Sequence, residues 1–169
     1  MRFDGRIYYD FSPQTWRFYR FLAAAGKEGA ELRLDWRSFL GVDDPQSAAG
    51  LALVESVRRS VPDRHGAFLQ ALLALRHLEG ADLTDPRTGA AAAEAAGIEG
   101  PVGSDPDTVF ASTEEGRALG VTGTPTIHRY GPVLRIQVNP GAYEGDVLGR
   151  LARIDAVLED DGIWVLEKP

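Results

Sequence analysis

The spacing of apolar positions changes several times along the chain. "GRIYYDF", residues 5 to 11, gathers aromatic and β-branched residues into a short run and predicts a strand. From Trp16 the interval lengthens. Trp16, Phe18, Tyr19 and Leu22 recur at helix-compatible spacings, and Gly26 and Gly29 are placed to end that helix. Leu32, Leu34 and Trp36 then alternate strictly with Arg33, Asp35 and Arg37, which predicts a second strand with one solvated face. Strand, helix and strand joined by a single crossover make a parallel βαβ unit.

No strand pattern survives from Ser47 to about Gly120. Ser47 is placed to cap "AAGLALVESVRRSV", which carries Leu51, Val54 and Val61 on one side and stops at Pro62. "HGAFLQALLALRHL" holds a further buried face of Phe68, Leu69, Leu72, Leu73 and Leu78. Asp85 and Pro86 form a cap and first-turn pair for "RTGAAAAEAA", which ends at Gly97. "DPDTVFASTEEGRALG" predicts a last helix of this block. Strands return in "PTIHRYG" and "VLRIQV", joined by the turn signal Gly131-Pro132. "GDVLGRLARIDAVLED" closes the pattern as a helix with Val147, Leu148, Leu151, Ile154 and Leu158 on one face, and "GIWVLEKP" is read as an edge strand. The order is βαβ, helical block, ββα. This is an α/β chain with a thioredoxin fold, its first half at 1–43, an all-helical insertion at 44–120 and its second half at 121–169.

Composition narrows the partners. Of 169 residues, 44% are hydrophobic and 25% charged, ordinary values for a globular chain long enough to bury one core. The net charge of −7 repels phosphate backbones, so no nucleic-acid partner is expected. No run of about 18 apolar residues occurs, so no membrane partner is expected either. "MRFDGRIYYDFS" has neither an apolar stretch nor a small-residue cleavage site, and the expected location is cytoplasmic. There is no cysteine, which excludes disulfides, a thiolate nucleophile and cysteine-ligated metal within this chain. His65 and His77 are isolated on helical runs, and no spacing of His, Asp and Glu suggests a metal.

Two short stretches carry a resemblance. "IYYDFSPQTWRFYRFL" resembles the opening of the DsbA-like family, in which a strand meets a helix at Cys-Pro-x-Cys. "GVTGTPTI" resembles that family's cis-proline loop, which faces the same turn, and "GAYEGDVLGRLARI" is similar to its last helix. Ser12-Pro13-Gln14-Thr15 stands where the family keeps its cysteine motif, so thiol–disulfide exchange through this chain's own sulfur is impossible. "SPQTW" is also similar to the Ser-Pro-Tyr-Ser turn of kappa-class glutathione transferases and 2-hydroxychromene-2-carboxylate isomerases, with Gln14 in place of the aromatic residue and Thr15 in place of the second serine.

What that resemblance implies is a site without sulfur of its own. Ser12, with Thr15, would be the catalytic pair, and the cofactor would be a low-molecular-weight thiol, glutathione or mycothiol, with a small-molecule or thiol-containing substrate. Pro13, Gln14, Trp16, Thr124, Pro125 and His128 would line the ligand. A cis Thr124-Pro125 bond would present the Thr124 backbone to an extended ligand. A homodimer is compatible with this reading. The residues themselves leave two roles open for Ser12. Its hydroxyl is suited to donate to a thiolate at a helix N-terminus, and it is equally an N-cap ahead of Pro13 at the first helical position. The functional alternative is a non-catalytic binding protein or chaperone that keeps the groove. Trp16 and Tyr19 fit core or rim positions as well as a substrate clamp, and His128 fits a satisfied strand histidine as well as an acid or base. A Ser12–His128–Asp10 triad lacks anything to orient the histidine between the other two.

Overall fold

Four helices in this chain open on the same device, a capping side chain followed by proline. The computed structural model describes residues 1–131 and 133–159. In chain order its elements are β1 (Arg2–Tyr9), α1 (Pro13–Lys27), β2 (Glu31–Ser38), α2 (Pro45–Ser60), α3 (His65–Leu78), α4 (Pro86–Ala95), α5 (Pro106–Ala118), β3 (Thr126–His128), β4 (Val133–Arg135) and α6 (Val147–Glu159), with a 3-10 turn at Pro62–Arg64. Ser12, Asp44, Asp85 and Asp105 cap α1, α2, α4 and α5 by accepting N–H bonds from the first turn. Each is followed by a proline, whose missing N–H costs nothing there. Ser47 is not the cap of α2, because Asp44 with Pro45 starts the helix three residues earlier. Ser47 is buried instead, and its Oγ accepts the Phe11 N–H at 3.2 Å. Helix α1 runs through Gly26 and ends at Lys27, with Gly29 at φ +94° just beyond it.

The sheet has the order β2-β1-β3-β4. Strands β1 and β2 are parallel, while β3 lies antiparallel to both β1 and β4. Alternation sorts the two faces. Phe3, Ile7, Tyr9 and Ile127 join the main core with Phe18, Phe21 and Leu22 of α1 and Val147, Leu151 and Leu158 of α6. On the other face Tyr8 packs with Phe39 and Val121, and α5 passes so close that a Cβ on Gly116 would meet Phe39 and Tyr8. The predicted solvated face of β2 is present, with Arg33 and Asp35 exposed. Strand β4 is shorter than "VLRIQV" suggested. The Ile136 N–H still bonds to the Pro125 carbonyl at 2.9 Å, but the Val138 N–H is taken by the Gln14 side chain at 3.3 Å, and the ladder ends. The edge strand read in "GIWVLEKP" lies outside the described residues, as does Pro132 of the predicted turn. Among the described residues no helix is long and apolar enough to cross a membrane.

The insertion docks on this frame through charge as well as apolar contact. Glu55 of α2 is buried, accepts the Ser38 hydroxyl at 2.5 Å and lies 3.5 Å from Arg58 Nε. Arg58 donates to the Trp36 carbonyl of β2 and to Nε2 of His65 at 3.3 Å. Accepting that bond requires a neutral imidazole. Burial, and then the Arg58 charge, push the His65 pKa down to about 4. The unfolded chain binds a proton at this histidine below about pH 6.5 and the folded chain does not until about pH 4. The contribution of His65 to stability is therefore complete above pH 6.5 and is lost as pH falls through that window. The melting temperature should fall between pH 6.5 and 4 more steeply in the native protein than in His65→Gln, whose amide oxygen accepts from Arg58 without titrating. Parallel pH profiles for the two proteins would refute this account.

Candidate functional site

Strand register brings the two halves of the site together. Tyr8 of β1 pairs with Thr126 of β3, so the residues after Tyr9 and the residues before Thr126 leave the sheet at the same end. One segment is the turn Asp10-Phe11-Ser12-Pro13. The other is Gly123-Thr124-Pro125, in which the Thr124-Pro125 bond is cis. Pro125 is buried, and its carbonyl is bonded to Ile136. Among the described residues the N–H and C=O of Thr124 have no hydrogen-bond partner.

Ser12 caps α1 from an extended conformation (φ −70°, ψ 157°). Its Oγ accepts the Thr15 N–H at 3.3 Å, and its carbonyl accepts the Trp16 N–H at 3.2 Å. The hydroxyl's only other hydrogen-bond partner among the described residues is Thr15 Oγ1 at 3.4 Å, too long for a strong O–H···O bond. The Ser12 proton is thus available. Thr15 is fully committed: it is completely buried, and its hydroxyl donates to Asp10 Oδ1 at 2.9 Å rather than to its own helix. The same Asp10 oxygen accepts the Ser12 N–H at 2.9 Å. A carboxylate therefore already occupies the N-terminal end of α1, where the helix dipole and the free N–H groups favour an anion.

The remaining predicted residues divide. Pro13 is exposed at the first helical position, and Gln14 holds the segment after β4 through its amide oxygen. Trp16 is half-buried, stacked on Tyr19 with centroids 6.2 Å apart and on His77 at 5.8 Å. The structure does not bring His128 to the turn. It pairs with Arg6, further along β3 than Thr126, on the sheet face that also carries Arg2, Asp4, Arg33 and Asp35. Burial and the nearby Arg6 charge lower its pKa there.

Three residues meet at the turn in roles that differ from those read in the sequence, where Asp10 entered only as a triad candidate, Ser47 as a cap and His77 as an isolated histidine. Asp10 is two residues from Ser12, yet its role depends on the chain folding back over its carboxylate. Ser47 and His77 come from the insertion. Nε2 of His77 is buried and has no hydrogen-bond partner among the described residues. Its pKa is lowered chiefly by burial, while the Phe11 backbone and the Asp10 charge act in the opposite direction. His77 is thus the histidine nearest the turn. No pattern in "LRHLEG" separates it from a surface residue, because the signal is the crossing of α3 over α1.

Thr15→Val removes the buried donor to Asp10 while keeping the shape. It should destabilise the fold by about 1–3 kcal/mol in chemical denaturation, the cost of a lost buried hydrogen bond to a charged group. A change below about 0.3 kcal/mol would show that Asp10 does not depend on it.

Comparison with known proteins yields no matching family model and no matching curated relative. Solved structures do match. A periplasmic thioredoxin-like protein from Salmonella enterica serovar Typhimurium aligns with a TM-score of 0.65 at 19% identity, over 88% of this chain and 84% of its own. The catalytic domain of Proteus mirabilis ScsC aligns with a TM-score of 0.65 at 21% identity, over 88% and 83%. The cytosolic disulfide reductase DsbM from Pseudomonas aeruginosa, solved with GSH, aligns with a TM-score of 0.56 at 15% identity, over 94% and 100%. These neighbours include one named periplasmic and one named cytosolic, so the likeness favours neither compartment. At such identities the likeness is one of fold: the chain is a cysteine-free protein with the DsbA-like thioredoxin fold and a helical insertion.

Proposed function

We propose that the chain binds a low-molecular-weight thiol, glutathione or mycothiol, at the Ser12 turn and uses it in a transferase or isomerase reaction on a small molecule. The observation that carries this reading is the weakly bonded hydroxyl of Ser12 at the N-terminus of a fifteen-residue helix, at the same end of the sheet as the Thr124 backbone, which is unpaired among the described residues. Thr124 N–H and C=O would take the main chain of the thiol ligand as an added strand segment. Ser12 O–H would donate to its sulfur. That a fold neighbour, DsbM, was solved with GSH adds support of the same kind.

Asp10 sets the balance of this chemistry. A hydrogen bond from Ser12 to a thiolate contributes on the order of 1.5–3 kcal/mol. The Asp10 carboxylate, which accepts the Ser12 N–H, would oppose that ionisation as a like charge. The two effects act against each other. The bound thiol is then activated only if the charge of Asp10 is held by its donors, the Ser12 N–H and the Thr15 hydroxyl. Without that activation the same geometry serves the second reading, a non-catalytic binding protein that holds a neutral thiol or an extended peptide in the groove.

Two substitutions separate these readings. In the transferase or isomerase reading, Ser12→Ala should weaken glutathione binding roughly 10- to 100-fold and raise the pKa of the bound thiol, followed by thiolate absorbance. Asp10→Asn should lower that pKa by removing the like charge. If glutathione binds with the thiol pKa of free solution and neither substitution moves it, the binding-protein reading stands. If neither glutathione nor mycothiol binds in calorimetry, the thiol reading fails.

A further inference from the structure

The site as described has a donor for sulfur and a backbone for pairing, but nothing yet that distinguishes one thiol from another. The lip of the Thr124-Pro125 loop supplies it. Arg135 lies on β4 directly opposite Thr126 in the antiparallel register, one step from Pro125. The loop is held closed by Thr126, whose hydroxyl donates to the Gly123 carbonyl at 2.6 Å. Over that loop lies the Arg135 guanidinium. A Cβ built on Gly123 would sit 2.8 Å from Cζ, 3.0 Å from Nε and 3.0 Å from Nη2. Three guanidinium atoms at nearly one distance mean that the group rests flat on the Gly123 backbone, and a side chain at 123 would evict it. A side chain at 123 is tolerated only if the exposed guanidinium swings away, so glycine is what lets Arg135 lie here.

The two arginines of this face nearest the turn end of β1 and β2 are paired, Arg6 with Asp35 and Glu115 and Arg37 with Asp35. Among the described residues Arg135 has no carboxylate partner, and it is exposed. Its planar fork of donors matches a carboxylate in two-point geometry. The chain as a whole carries −7 and repels anions, so an anionic ligand needs a local cation to hold it.

Building on the thiol-ligand reading, we propose that Arg135, laid over Gly123 beside the Thr124 backbone, is the specificity residue of the site and selects a carboxylate-bearing thiol, the glutathione type, over the carboxylate-free mycothiol type. A ligand paired along Thr124 would extend past Gly123, and a main-chain carboxylate on it would meet the Arg135 fork.

Calorimetric titration with reduced glutathione, S-methylglutathione and glutathione diethyl ester tests this on the native chain and on Arg135→Gln, Arg135→Lys and Gly123→Ala. Native protein should bind both carboxylate-bearing probes more tightly than the diester. Arg135→Gln should weaken those two roughly 10- to 100-fold and leave the diester unchanged. Arg135→Lys should recover only part of the loss, since an ammonium lacks the fork. Gly123→Ala, which changes no charge, should reproduce part of the loss by displacing the guanidinium. Glutathione affinity insensitive to Arg135→Gln would overturn the role of Arg135 and leave the thiol reading intact. S-methylglutathione binding as tightly as glutathione, with the same dependence on Arg135, would support Arg135 and remove the thiol reading. Failure of both carboxylate-bearing probes to bind native protein would overturn the role of Arg135 and leave the thiol reading to stand or fall with mycothiol.

Discussion

The buried Glu55–Arg58 pair is the constraint on which the rest of the arrangement depends. A carboxylate with only 1% of its side chain exposed is tolerated only when its lone pairs are occupied, and here Ser38 and Arg58 occupy them. Removing one partner of such a pair typically costs 3–5 kcal/mol, because the other is left as an uncompensated buried charge. The pair joins α2 to the end of β2, since Ser38 is the last residue of that strand and Arg58 also takes the Trp36 carbonyl. It fixes the register of the insertion against the sheet, a role that apolar contact alone leaves loose. With α2 fixed, Ser47 meets the Phe11 N–H, and Gly50 comes so close to Phe11 that a Cβ there would lie 2.6 Å from the ring. The insertion thus holds the turn from above, while α1 and the sheet hold it from below.

That double grip explains how the turn keeps its shape without cysteine chemistry. The positive end of α1 is satisfied internally: Asp10 Oδ1 accepts from both the Ser12 N–H and the Thr15 hydroxyl. A resident carboxylate of this kind orders the turn in the absence of ligand. It also makes the site more selective about charge than a bare helix terminus, since a second anion must come with its own partner. An uncompensated cation at Gly123 is then the natural counterpart to a filled anion position at Ser12.

Much of the frame was legible in the sequence because it is local. Strict alternation in "LRLDWR" gave β2 its two faces, Ser12-Pro13 and Asp85-Pro86 marked helix starts, and the shift from period two to helical spacing located the insertion. The errors came where two local signals competed or where a tertiary partner decided. Ser47 is a good capping residue, but Asp44-Pro45 is a better start and lies upstream, which freed Ser47 for Phe11. His128 is near the proline loop in sequence, yet pleating and register carry it toward Arg6. His77 and Arg135 carry no local signal, since each owes its place to an element brought in from elsewhere, α3 across α1 and β4 against β3.

Losing the cysteines moves the chemical question from the turn's own sulfur to the groups that surround it. In a redox thioredoxin fold the helix N-terminus acts on a thiol fixed in the chain. Here the same N-terminus acts first on Asp10, and Ser12 is left with a hydroxyl that no described residue claims strongly. Such a hydroxyl can orient and hydrogen-bond a ligand atom, and among the described residues it has no hydrogen-bonded base to activate its oxygen. In the proposed reading, a fold without a thiol of its own and with the Thr124 backbone unpaired among the described residues would hold a reactive small molecule or an extended chain. If Arg135 has the proposed role, charge beside the proline loop, more than the shape of the turn, would decide which of these is held.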